Sequence, residues 1–542
     1  MNEQGVYSGD DTGGAPQEVW QSPRSPKSRD DVLSMSPQET VDFLNEWTAR
    51  TDWCSPLHIM GRSPAGLGDA LREAVTSDPK HFDTRLEPFS ETDPTYVRSV
   101  IDGLRFAIRE GRQFEWESVL AFCLSICRKD RNIPNRVSNP MVIDPDWGWA
   151  RHAVAHLIQE GIQAGSKHPI PFALHSLVWE ILGILSDDPD PAGEEEGDPI
   201  QHAPNTVRGE AIDAVVLYAL WCHRDITQRE GLENWRGFES IPDVRAVLEE
   251  HLNPVKDPSL AVRTLYGRWF PWLDMLDHNW AKENVGKIFP LEEGSGDYWK
   301  AAWEAYLFFT GDVYRRPTEL LESQIEAAID WLSTDLPERE TREEAKRKFA
   351  SHIMIQYLRG WLGDDPRRGL MGSFWEKAPA GVRAAAISYI GVNMLNVQTE
   401  ISEEISGRLK SLLEFRIEML SDNPGDAAVE LPDYGFWFES GWLPDDWSLD
   451  RLIQVLELTG GRIEDTGGVL KRLSELATSY PVAVMKALLM VGDEYISNKE
   501  MWVFYPHARD AFREVMRSGN EEAIRLARPV KGILMVHGLL QS

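Results

Sequence analysis

The stretch Ala203 to Arg224, APNTVRGEAIDAVVLYALWCHR, constrains the rest of the chain more than any other. Asn205 and Thr206 are helix-starting residues, and Val207, Ala211, Ala214, Val215, Tyr218, Ala219 and Cys222 recur at the spacing of one helix face. Ile212, Val216, Leu217, Leu220 and Trp221 fill the other side, so the second half is apolar nearly all round. A helix like this in water has to be packed on several sides, which predicts a central element within a stack of helices.

The remaining chain supplies the stack. Ser36, Pro37 and Glu39 set a cap, a first-turn proline and a capping-box acid ahead of Val41, Leu44 and Trp47. Ser63-Pro64 and Asp93-Pro94 repeat the device before further helically spaced apolar residues. Helical periodicity continues through segments near 115–128, 147–160, 172–185, 241–252, 257–280, 298–309, 319–336, 343–361, 380–395, 401–420, 469–478, 481–491, 508–516 and 521–528. Alternating β-branched runs joined by Asn-Gly or Asp-Gly turns do not occur, so the expected fold is all-α: an irregular HEAT-like α-solenoid with no substantial β-sheet. The segments read as a disordered leader (1–30), an N-terminal helical part (31–186), an acidic loop (187–202), a central helical part (203–430) and a C-terminal helical part (431–542).

Charge and cysteine usage exclude several classes. With 56 Lys and Arg against 87 Asp and Glu, the chain carries a formal charge of −31 over 542 residues, which argues against broad nucleic-acid binding. Cys54, Cys123, Cys127 and Cys222 form no CxxC pair or disulfide framework. No apolar run is long enough to cross a bilayer and the first 20 residues lack signal-peptide features, so a cytoplasmic protein without a membrane partner is expected.

Chemistry-bearing motifs are sparse. His152, His156 and Glu160 in WARHAVAHLIQEG could share one helix face and offer two imidazoles and a carboxylate to a metal, the basis of an alternative reading as a hydrolase with a helical cleft. Ala153 stands where a zincin has its catalytic Glu, so ordinary helix histidines are the simpler reading. Cys123 and Cys127, one turn apart, read as small core residues. Asp188, Asp190 and Gly193 imitate the start of a calcium loop, but Pro199 occupies the position of the bidentate Glu, which leaves a solvated acidic loop. Arg208 and Glu210 read as a buried pair fastening that loop. Phosphate-binding loops, dinucleotide fingerprints and nucleophile elbows are all missing, so no catalytic residue, cofactor or metal is assigned. The aromatic cluster of Tyr434, Phe436, Trp437, Phe438, Trp442 and Trp447, broken by glycines and prolines, offers two readings: rings turned outward as partner anchors, with Tyr434, Trp437, Trp442 and Trp447 the candidates, or a plug between helical segments.

Three stretches carry a family resemblance: DDPDP leading to NTVRGEAIDAVVLYALW, then PSLAVRTLYGRWFPWL, and later YGFWFESGWLPDDWSLDRLIQVLEL. From about Ser22 to its end the chain resembles the carboxy-terminal helical regions of large bacterial proteins of antiviral defence, which carry STAND or NACHT-like NTPase modules or sirtuin-like modules at their amino-terminal end. The resemblance implies a sensing or scaffolding role and a protein partner, such as a separately encoded NTPase or sirtuin-like module. It identifies no catalytic residue. This sequence departs from the pattern in carrying no nucleotide-binding or effector module, so it is expected to be a separate helical subunit or the tail of a longer reading frame without a function of its own.

Overall fold

A computed structural model describes residues 25–47, 63–136, 143–191, 197–333, 340–396, 401–498 and 501–536. These residues form 26 α-helices joined by turns and short 3-10 segments, with no strand among them. The all-α helical array expected from the sequence is therefore what the chain adopts.

Local chemistry accounts for the helix starts. The amides of Gly66 and Thr95 donate to Ser63 Oγ (3.1 Å) and Asp93 Oδ1 (3.0 Å), opening the helices Pro64–Ser77 and Pro94–Arg109. Ser36 and Glu39 complete a reciprocal capping box at Pro37–Trp47. Each such cap contributes about 1 kcal/mol by satisfying amides that have no partner within the helix.

Four expectations are corrected. Of the leader, residues 1–24 lie outside the described residues, but Ser28 and Asp31 form a capping box that starts a short helix, Arg29–Leu33, so order begins before residue 31. The helix expected over 319–336 is two, Arg315–Leu320 and Glu322–Trp331, because the backbone leaves helical geometry at Leu321, whose side chain is sunk in the core. The central helix runs Val207–Glu230, but its first amide is not capped by Asn205 or Thr206. Asp190 caps it instead, accepting from Val207 N through Oδ2 at 3.2 Å and from Arg208 N through its carbonyl at 2.8 Å. The acidic loop is the fourth: Asp188 is buried, paired with Arg131 and Arg151, and Arg208 Nη1 donates to its carbonyl at 2.7 Å. The loop and the helix start are thus held together from both sides. Residues 192–196 of the loop lie outside the described residues, as does Cys54.

The chain divides into two compact units, 1–265 and 266–542, with the boundary inside the expected 203–430 segment. In the first unit, Pro94–Arg109 packs against Pro64–Ser77 and against Gly148–Ile162, and Gly148–Ile162 in turn packs against Val207–Glu230. The first of these contacts is close enough to need Gly103, where a Cβ would stand 2.8 Å from the Arg72 carbonyl oxygen. The Val207–Glu230 helix buries residues on several sides, from Val207 and Ala211 to Trp221 and Cys222, as its apolar girth requires.

In the second unit the helices Gly296–Phe309, Glu340–Leu358, Ala380–Asn396, Tyr434–Ser440, Thr466–Leu476 and Met501–Ser518 touch in succession. A second succession runs through Pro424–Glu430, Asp445–Thr459, Pro481–Asn498 and Glu521–Val536. Trp280, Trp303 and Trp437 are among its fully buried side chains, which accounts for part of the high tryptophan content. No helix among the described residues is long and apolar enough to cross a membrane.

Candidate functional site

His152 and His156 lie one turn apart on Gly148–Ile162, with ring centroids 4.4 Å apart. The third group expected beside them, Glu160, is turned away: its Oε2 accepts from Arg109 at 2.9 Å. The carboxylate that does converge is Glu210, from the first turn of Val207–Glu230. His156 Nε2 stands 3.1 Å from Glu210 Oε2, and one ligand atom from each of His152, His156 and Glu210 lies within 4.8 Å of the others. Gln159 donates to the same carboxylate at 2.6 Å and to the Glu210 carbonyl at 2.9 Å. Glu210 thus belongs to this cluster rather than to Arg208, which pairs with Asp257 at 3.0 Å.

The partners assign the protons. Arg105 Nη1 is 3.2 Å from His156 Nδ1, and a guanidinium only donates, so Nδ1 is the acceptor and Nε2 carries the proton toward Glu210. His152 Nε2 is 2.9 Å from the Pro204 carbonyl, which only accepts, so Nε2 is protonated and Nδ1 holds the lone pair. Burial, with His156 adding to it, holds the His152 imidazole below its usual value and favours the neutral ring.

Of the four expected partner anchors, two are corrected. Tyr434 and Trp437 are buried, with Tyr434 Oη donating to the Ser448 carbonyl (3.2 Å) and Trp437 Nε1 to that of Ile387 (2.8 Å). They sit three residues apart on Tyr434–Ser440, so they share the helix's buried side, and Gly441 in the left-handed region ends it. Trp442 and Trp447 are half-buried; their indole N–H groups donate to the Met394 carbonyl (3.0 Å) and to Glu414 Oε1 (2.8 Å).

A surface that sequence reasoning missed lies elsewhere in the second unit. Glu322, Glu326 and Asp330, four residues apart on Glu322–Trp331, line a cavity of about 700 Å³ together with Trp361 and Lys377. Asp330 pairs with Lys377 at 2.6 Å, whereas Glu322 and Glu326 make no hydrogen bond or ion pair among the described residues. A second cavity of about 360 Å³ shares Glu322 and Trp361 and adds Arg315, Arg359 and Gln356. Gln356 is only 3% exposed, and its Oε1 has no hydrogen-bond partner among the described residues. Arg315 also lines a third cavity, of about 370 Å³, walled by Trp272, Met275 and Tyr314. Trp272 and Tyr314 are 47% and 53% exposed. The shared residues make the three cavities neighbours along one track, aromatic at one end, acidic at the other, with Arg315 and Arg359 between them. Four-residue acidic spacing was the one signal available in the sequence, and it is too common in so acidic a chain to single out.

No protein-family model, curated protein or solved structure matches the chain.

Proposed function

We propose that the chain is a non-enzymatic helical scaffold or sensor that binds a protein partner, taking up a basic segment of it along the track in the second unit. The supporting observation is the pairing of two unpaired carboxylates, Glu322 and Glu326, with the Trp361 ring in one cavity. A lysine or arginine side chain entering there gains charge pairing from the glutamates and apolar contact from the indole, which already holds the Arg359 guanidinium 5.1 Å from its centroid. Apolar side chains of the same segment fit against Trp272 and Tyr314, and a peptide N–H reaching Gln356 Oε1 would relieve a buried acceptor that otherwise costs about 1–3 kcal/mol. The overall charge of −31 draws a basic partner in before contact. A HEAT-like stacking of the helices fits this use, because stacked helices give an extended binding face. The family resemblance of the sequence supplies the class of partner: a separately encoded NTPase or sirtuin-like module in a cytoplasmic bacterial defence assembly.

The test uses a fluorescently labelled peptide of alternating arginine and leucine and the full chain. The double substitution Glu322→Gln/Glu326→Gln is expected to weaken binding about tenfold, and Glu403→Gln/Glu404→Gln, which removes equal charge at another helix, less than about twofold. Equal losses in the two variants would reduce the interaction to diffuse attraction and remove the track from the proposal.

A further inference from the structure

We infer that His152, His156 and Glu210 form a binding site for a zinc-class divalent ion, which fastens Gly148–Ile162 to the start of Val207–Glu230. The inference concerns the first unit and does not depend on the proposed partner site.

Three features of the geometry carry it. Two histidines four residues apart on a helix and Glu210, a carboxylate only 6% exposed that comes from a second helix, each bring one ligand atom to within 4.8 Å of the others. His152 Nε2–H is held by the Pro204 carbonyl, the kind of outer hydrogen bond that fixes the tautomer of a metal-bound imidazole, and this leaves the lone pair on Nδ1. Both histidine rings are half-buried rather than sealed, so an ion can reach them and a water can take the fourth position of a tetrahedral site. Ligand atoms around zinc stand roughly 3.3 Å apart, so the widest separation in the cluster has to close by up to about 1.5 Å, within the range of side-chain torsions.

His156 is the gate. In the metal-free chain its Nε2 carries the proton and its Nδ1 is held by Arg105. For Nε2 to bind the ion, that proton moves through solvent to Nδ1, with no net proton released from this ring. Nδ1–H then faces a guanidinium that cannot accept, so Arg105 has to turn away, toward Asp102, whose Oδ1 is already 3.3 Å from its Nη2. Arg105 is therefore a positioning residue that sets the site's affinity by holding the metal-free tautomer in place.

The test is titration of tag-free, chelator-treated full chain with Co²⁺ and then Zn²⁺, following the visible absorption of tetrahedral Co²⁺ and the ring ¹⁵N shifts of the histidines. One equivalent is expected to bind, moving the His156 ring to the Nδ1–H tautomer. His156→Ala or Glu210→Gln should weaken binding at least about tenfold, and Arg105→Gln should tighten it by about the same factor, since Gln offers Nδ1–H an acceptor. The Arg105 variant keeps all three ligands and guards against loss of binding through misfolding. A Co²⁺ spectrum unchanged by His156→Ala, no binding at micromolar ion, or an Arg105→Gln variant that binds no tighter would each overturn the assignment.

Discussion

Residue by residue, Glu430 is the most deeply buried charge among the described residues of the second unit, with no exposure to solvent. Arg383 Nε donates to it at 2.7 Å, Arg416 Nε at 2.6 Å, and Arg416 Nη2 at 3.1 Å. Arg383 has a second carboxylate in Asp426, at 2.6 Å, but Arg416, itself buried, pairs with Glu430 alone among the described residues, so loss of the Glu430 charge leaves a buried guanidinium without its counter-ion. Glu430→Gln is expected to lower the stability of the folded chain by about 3 kcal/mol, read as a shift of the urea midpoint. Glu418→Gln, which breaks an exposed pair with Arg367, should cost about 0.5 kcal/mol or less. A larger loss from the surface variant than from the buried one would contradict this. Neither ranking is visible in the sequence, because burial depends on which helices meet. The same holds for the histidine cluster: the pair at His152 and His156 could be read from spacing, but the carboxylate facing it could not. Gln159 and Glu210, which hydrogen-bond, are 51 residues apart, and no local pattern joins them.

At the level of single helices, local chemistry was legible and its long-range substitutes were not. Ser36, Ser63 and Asp93 cap the helices their positions announced, because a cap and its amide lie within three residues. Thr206 lost that role to Asp190, which reaches the helix start through a loop. The long helix expected from 319 is interrupted at Leu321, a buried residue whose backbone leaves helical geometry. A further contact between elements has a pH signature. Glu439, near the end of Tyr434–Ser440, shares a hydrogen bond with Asp465, the cap of Thr466–Leu476, and this bond, with burial second, pushes its carboxyl up to about 7. Because the folded value lies above the unfolded one, the folded state holds the proton more tightly. The stabilisation is complete below about pH 4.5 and is lost as pH rises through about 7. Glu439→Gln should therefore raise the melting temperature at pH 8 and change it less at pH 5. A gain larger at pH 5 than at pH 8 would reverse the sign and refute the shared proton.

For the molecule as a whole, helical periodicity and the absence of strand patterns were enough to read the fold class. Each helix buries a face, and the face is written in its own sequence. The surface proposed for binding was harder to read. Tyr434 and Trp437 look like anchors in a string of aromatic residues, yet burying such rings is the strongest single stabilisation they can give, and the core takes them. The track in the second unit is made instead by residues from separate helices and turns: Glu322 and Glu326, Gln356, and Trp361. Its reading as the docking site for a basic partner segment is the central claim. The most direct measurement is hydrogen–deuterium exchange of the full chain with and without the arginine-leucine peptide. Added protection is expected in 322–331 and 356–370, at both sides of the track, and not in 148–162. Protection confined to other segments, or none at a peptide concentration that saturates binding, would contradict the claim.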